Sequence, residues 1–131
     1  MLTEAEVRER LKKKDYEHAD IDDAVEMLLE YKYLNDEELS KMVAREAARV
    51  KRGPLWVRQT LLRRRVKEVW AEQAAETLRI QEKELAGAFL HHRFGCPEDL
   101  DDKERARAFR QLAGRGFSWD CVRDLLGNEG H

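Results

Sequence analysis

The chain has 131 residues, 40% of them charged (25 Lys+Arg against 27 Asp+Glu) and 42% hydrophobic, a size for one compact domain or a short row of repeats. No apolar run approaches the roughly 18 residues of a spanning helix, and the opening MLTEAEVRERLKKK lacks the apolar stretch of a secretory signal, so a cytoplasmic protein without membrane contact is expected. Two cysteines, Cys96 and Cys121, exclude a disulfide framework and are expected as reduced thiols.

Long stretches rich in Ala, Leu, Glu, Lys and Arg, broken by only two prolines and seven glycines, predict an all-α chain of about eight helices. Thr3 with Glu6 forms a capping-box pattern opening a first helix that runs to about Lys14. The second begins near Asp20, with Ile21, Ala24, Val25, Leu28 and Leu29 at helical spacing. Asn35 with Glu38 opens the third, about Asp36 to Arg52, which Gly53 stops; Pro54 suits the first turn of the fourth, Leu55 to Arg64. The fifth and sixth fill Glu68 to Phe94 with a break near Ile80 and Gln81. Gly95, Cys96 and Pro97 form a loop. Asp101 with Glu104 then caps a seventh helix to Ala113, and after the Gly114-Arg115-Gly116 turn an eighth runs from about Trp119 to Leu126.

Self-comparison organises these helices. Val7, Val57 and Ala108 coincide, as do Leu11, Leu61 and Leu112, then Tyr16, Val66 and Phe117, then Ile21, Ala71 and Val122, at offsets of 50 and 51 residues. Each set reads as a turn of helix, a tight turn bearing an apolar plug, and re-entry into a second helix. The expectation is an elongated, solenoid-like row of tandem three-helix units, over residues 1–53, 54–95 and a truncated 96–131, each burying its face mainly against its neighbours.

Three segments in register with that repeat carry a resemblance: YLNDEEL (Tyr33 to Leu39), RGPLWVRQTLLRRRV (Arg52 to Val66) and RGFSWDCVRDLL (Arg115 to Leu126). In this order and with these gaps the chain resembles the RecX family of bacterial recombinase regulators over nearly its whole length. Matching positions are Leu34, Asp36 and Glu37; Gly53, Pro54, Val57, Arg58, Gln59 and Leu61; and Arg115, Gly116, Phe117 and Ser118. The family's glycine at the end of a unit's first helix is here Asp15 and Arg65, and the one before the YLND-like stretch is Lys32; these residues are expected in left-handed or irregular conformations. The aromatic that usually follows the acidic pair is Leu39. The chain is also expected to begin directly at the first helix of the first unit, without the leading helical segment of many family members.

The resemblance implies a non-enzymatic, monomeric regulator that needs no cofactor. It would lie in the groove of the RecA filament on single-stranded DNA and limit ATP hydrolysis, strand exchange or filament growth. The rival reading is a helical nucleic-acid-binding module acting without RecA, since short helices joined by tight turns imitate helix-turn-helix elements.

The near-neutral total hides a strong dipole. Asp15 to Glu38 holds ten acidic residues and one basic; Lys41 to Lys67 holds ten basic and one acidic. Lys41, Arg45, Arg49 and Arg52 fall on one helix face, followed by Arg58 and the run Arg63, Arg64, Arg65, with Lys51 between. This cluster, dense and with few acidic neighbours in sequence, is the candidate contact for DNA phosphates or acidic recombinase side chains; the alternative is a solvated face neutralised by the acidic second helix. Trp56 and Trp119 are candidate half-exposed contacts. Trp70 is expected in the core, and Tyr31 and Tyr33 as packing residues. His91, His92, Cys96 and Cys121 match no recurrent zinc spacing, and no phosphate-binding glycine loop or nucleophile elbow is present.

Overall fold

The structure is a computed structural model, and it describes residues 1–31 and 34–127. Within these residues the chain is all-helical: α1 (Glu4–Lys13), α2 (His18–Glu30), α3 (Asp36–Arg49), α4 (Pro54–Arg63), α5 (Glu68–Arg79), α6 (Glu82–Phe94), α7 (Asp102–Gly114) and α8 (Trp119–Leu126), with one 3-10 turn at Pro97–Asp99. Lys32 and Tyr33 lie outside the described residues.

Caps set the starts. The Thr3 and Asp101 capping boxes form, and the Asn35 side chain accepts from the Glu38 N–H at 3.0 Å. α2 starts earlier than its sequence pattern, because Glu17 takes the extended N-cap conformation without a side-chain bond. α3 ends earlier, for a backbone reason. Lys51 adopts φ 59, and the Arg52 N–H returns to the Ala47 carbonyl at 2.8 Å, closing the helix before Gly53 is reached.

The turn after each unit's first helix repeats to the hydrogen bond. Asp15, Arg65 and Gly116 have φ 65, 61 and 92, so the two non-glycine residues are left-handed as expected. The next N–H, of Tyr16, Val66 or Phe117, reaches the carbonyl of Leu11, Leu61 or Leu112 at 3.3, 3.0 and 3.2 Å.

Hydrophobic packing groups the helices differently from sequence order. One cluster joins Leu39, Ala44 and Ala47 of α3 to Val57 and Leu61 of α4 and Ala71, Ala74 and Leu78 of α5. A second joins Ala86 and Leu90 of α6 to Ala108 and Leu112 of α7 and Cys121, Val122 and Leu126 of α8. Thus α3 covers the two helices that follow it, and α6 does the same. The α1–α2 pair shares a smaller cluster of Ile21, Val25 and Leu34, and α1 itself has no buried residue.

First helices dock end to end. The Thr3 hydroxyl at the start of α1 donates to the Arg64 carbonyl at the end of α4, at 3.1 Å. Fifty residues on, the Gly53 and Leu55 N–H groups at the start of α4 donate to the Arg115 and Gly116 carbonyls at the end of α7, at 2.8 and 3.0 Å. The chain's opposite end is closed by Arg105, which donates to the Leu126 and Pro97 carbonyls at 2.6 and 3.0 Å.

Candidate interaction surface

The basic cluster falls on α3, α4 and the bend between them, and the structure divides it by what each cation already holds. On α3, Lys41 pairs with Glu37 and Arg45 with Glu38, both at 3.6 Å, and Arg49 with Glu46 at 2.6 Å. All three are surface pairs between exposed side chains, of small energetic weight and open to exchange for a partner's carboxylate or phosphate. Arg58 reaches Glu72 and Glu68 of α5, the latter at 3.1 Å, and Arg65 reaches Glu9 of α1. The Arg63 side chain is exposed and, among the described residues, makes no ion pair or side-chain hydrogen bond. The expected shortage of local partners is therefore corrected: the neutralising carboxylates sit on α1, α3 and α5, one or two turns away on the same helix, on the next helix, or across a joint. Nor do they come from α2, whose Asp22 pairs instead with Arg8 at 2.7 Å.

Two arginines at equivalent positions bind neighbouring units together. The Arg64 guanidinium donates to both Glu6 carboxylate oxygens, at 2.9 and 3.0 Å, and to the Met1 carbonyl at 2.6 Å. Arg115 donates to the Lys51 carbonyl at 2.9 Å and to that of Val50, and stacks 4.5 Å over the Phe89 ring. Met1 and Lys51 are themselves one repeat apart. Burial and the neighbouring Arg52 and Arg93 charges pull Arg115 below the usual arginine value; it remains a cation. Lys51 thus contributes its left-handed backbone and carbonyl, while Arg52 stacks 5.1 Å over Trp56.

The Glu6–Arg64 bracket predicts an acid transition. The Arg64 hydrogen bond is the main cause holding Glu6 at about 2, against 4.5 for an ordinary glutamate. Because the folded value is depressed, the stabilisation is complete above pH 4.5 and is lost as pH falls toward 2. Arg64→Met should remove up to about 3 kcal/mol at pH 7 and flatten the stability curve between pH 4.5 and 2, as measured by urea unfolding across that range.

Trp119 is 56% exposed and meets Phe109 edge to face at 4.8 Å, whereas Trp56 is half-buried under Arg52. Trp70 is half-buried against the α3–α4–α5 core rather than enclosed. It borders a groove of about 470 Å³ between α3 and α5, with Ala44, Ala48, Ala74 and Leu78 on the floor and Lys41 and Arg45 at the rim. Tyr31, expected to pack, is 68% exposed. Cys121 is buried, and that burial pushes its thiol up to about 11, so at neutral pH it is a packing residue and not a nucleophile; Cys96 is a free, surface-side thiol. Among the described residues no group of three or more His, Cys, Asp or Glu could hold a metal, and no helix is long and apolar enough to cross a membrane.

Sequence reasoning missed Glu82. Nearly enclosed at the start of α6, it accepts from the Ser118 N–H and hydroxyl at 2.8 and 3.0 Å, tying α6 to the cap of α8. A glutamate four residues before an Ala-Gly-Ala stretch carries no signal of a partner 36 residues away.

No family model matches the chain. Individual proteins do. Over 124 residues it is 34% identical to the regulatory protein RecX of Vibrio parahaemolyticus, covering 95% of this chain and 80% of that one. The chain belongs to the RecX family. It is also 27% identical over 128 residues to the RecX of Clostridium beijerinckii, spanning 95% of this chain and 60% of that relative. The fold agrees: the crystal structure of RecX from Lactobacillus salivarius superposes with a TM-score of 0.78 at 19% identity, over 96% of this chain and 84% of that one. RecX proteins carry the name of regulatory proteins, and the repeated turn and joints described above are how this RecX chain builds its row of helices.

Proposed function

We propose that this RecX chain regulates the RecA recombinase in the cytoplasm. It would bind the RecA filament on single-stranded DNA along its groove and limit ATP hydrolysis, strand exchange and filament growth, acting as a monomer without a cofactor. The observation that carries this reading is the family relationship across 95% of the chain. The architecture suits it: three end-to-end joined units offer contacts spaced along a line, as successive protomers of a polymer require, and the acidic α2 beside the basic α3 and α4 supplies both charge signs.

Within this reading the contact set is Lys41, Arg45 and Arg49 on α3, Arg63 on α4 and the Trp119 ring, all exposed. Arg58, Arg64, Arg65, Lys51, Arg52 and Trp56 act chiefly inside the molecule.

The test is DNA-dependent ATP hydrolysis by the cognate RecA, with and without the protein, beside binding to single-stranded DNA alone. Inhibition at substoichiometric amounts with weak DNA binding is expected. Combined Lys41→Glu, Arg45→Glu and Arg63→Glu should raise the half-inhibitory concentration at least about 10-fold, the equivalent of 1.4 kcal/mol, without lowering Tm, since these side chains hold no joint. Tight DNA binding with no effect on RecA would favour the nucleic-acid module instead.

A further inference from the structure

The groove between α3 and α5 is open because its side chains are small, and the next unit shows what closes it. Aligned on their N-caps, Asn35 and Gln81, α3 and α6 set Ala44 against Leu90 and Ala48 against Phe94. Aligned on Ala71 and Val122, α5 and α8 set Ala74 against Leu125. In the α6–α8 pair Leu90 is buried, Phe94 and Leu125 pack against the same cluster, and the Leu125 side chain lies beside Gly87, where α3 has Lys41. No extra helix accounts for the difference. Among the described residues, the one helix with substantial contact to both α6 and α8 is α7, just as α4 is the one with substantial contact to both α3 and α5. Three alanines thus leave about 470 Å³ of largely apolar space between two helices in the middle of the chain, with the half-buried Trp70 at its border.

We infer that this groove receives a segment of a partner protein that presents two large apolar side chains, leucine or phenylalanine, on one stripe with carboxylates beside them. The apolar requirement follows from the volume that Leu90, Phe94 and Leu125 fill one unit on: side chains of that size, brought by a partner, bury themselves and the alanine floor together. The acidic requirement follows from the two banks. The α5 bank is uncharged, with Gln73, Thr77 and Gln81, whereas the α3 bank offers Lys41 and Arg45. Each of these cations is held only by an exposed glutamate at 3.6 Å, Glu37 and Glu38 respectively, a pairing weak enough to exchange for an incoming carboxylate. Apolar residues docked alongside exclude water and strengthen the new pair. A nucleic-acid strand fits less well, because Glu37 also lines the groove and repels phosphate. The inference names the chemistry of the segment and goes beyond the recombinase reading. Lys41 and Arg45 belong to both, whereas Ala48 and Ala74 belong to the groove alone.

The probe is a fluorescently labelled, stapled helical peptide of about 12 residues, with leucine and phenylalanine one turn apart and an aspartate on either side of them. Titrated into the full chain without RecA or DNA, it should bind saturably by fluorescence anisotropy. Ala48→Phe and, separately, Ala74→Leu put into the groove the side chains found one unit on; each should weaken binding at least about 10-fold and leave Tm unchanged or raised. Lys41→Glu with Arg45→Glu should weaken it at least about 3-fold, and a peptide with lysines in place of the aspartates should bind this double variant better than the wild type. No saturable binding, binding indifferent to both groove-filling variants, or equal binding of a peptide with serine in place of leucine and phenylalanine would overturn the proposal. So would a dimer in sedimentation that Ala48→Phe dissolves, or uptake of an oligothymidine that Ala48→Phe blocks, since the occupant would then be a second copy of this chain or a nucleic-acid strand. Because peptide binding is read without RecA, its failure and the failure of the recombinase reading are separate results.

Discussion

Gly116→Ala is expected to lose about 3 kcal/mol or more of unfolding free energy, read as a lowered urea midpoint at unchanged slope. Two costs add. Gly116 has φ 92, which an L side chain adopts at a cost of about 1–2 kcal/mol. A Cβ there would also run into the Trp56 backbone and side chain, with overpacking of about 1–3 kcal/mol. Gly53→Ala meets the other half of the same joint, since its Cβ would strike the Gly116 carbonyl. The equivalent positions in the other joint, Thr3 and Arg65, carry side chains. Arg65→Gly is therefore expected to be neutral or stabilising by up to about 1 kcal/mol: it relieves a left-handed non-glycine residue and gives up only the surface pair with Glu9. Opposite signs at two positions one repeat apart would show that glycine is required by close approach at one joint and is dispensable at the other.

Leucine truncation at the same repeat position should grade with enclosure. Leu61→Ala and Leu112→Ala remove fully buried side chains from the two closed clusters and should each cost about 2–5 kcal/mol, the transfer of the lost methyl groups plus the cavity left behind. Leu11→Ala, at the half-buried equivalent, should cost less than about 1.5 kcal/mol, because solvent already reaches it and little cavity forms. Thermal unfolding of the three variants side by side separates them. Equal losses at all three would mean that the first cluster is as closed as the others.

Much of this was legible in the sequence because it is local. A capping box spans four residues, and Thr3 and Asp101 were readable from their glutamates. The left-handed Asp15 and Arg65 followed from the family resemblance, which places a glycine at both positions. What was not legible depends on contacts far apart in the chain. Lys51, not Gly53, stops α3, and it does so with a left-handed turn, because Gly53 is needed extended against the Gly116 carbonyl. Arg64 looked like one more member of a basic run, yet its partners are Met1 and Glu6, some 60 residues away. The carboxylates that pair with Arg58 and Arg65 were equally hidden. Sequence distance made Arg65 and Arg58 look unpartnered, while Glu9 and Glu72 approach only once helices cross. Tyr31 was mistaken for a packing residue, since an aromatic at a helix end carries no sign of which side faces solvent.

The most direct measurement is binding of the labelled protein to RecA assembled on single-stranded DNA with a slowly hydrolysed ATP analogue, compared with free RecA and with the same DNA alone. Tightest binding to the assembled filament, weakened by the combined Lys41→Glu, Arg45→Glu and Arg63→Glu substitutions, is the expected result. Equal or tighter binding to the bare DNA, with none added by RecA, would contradict it.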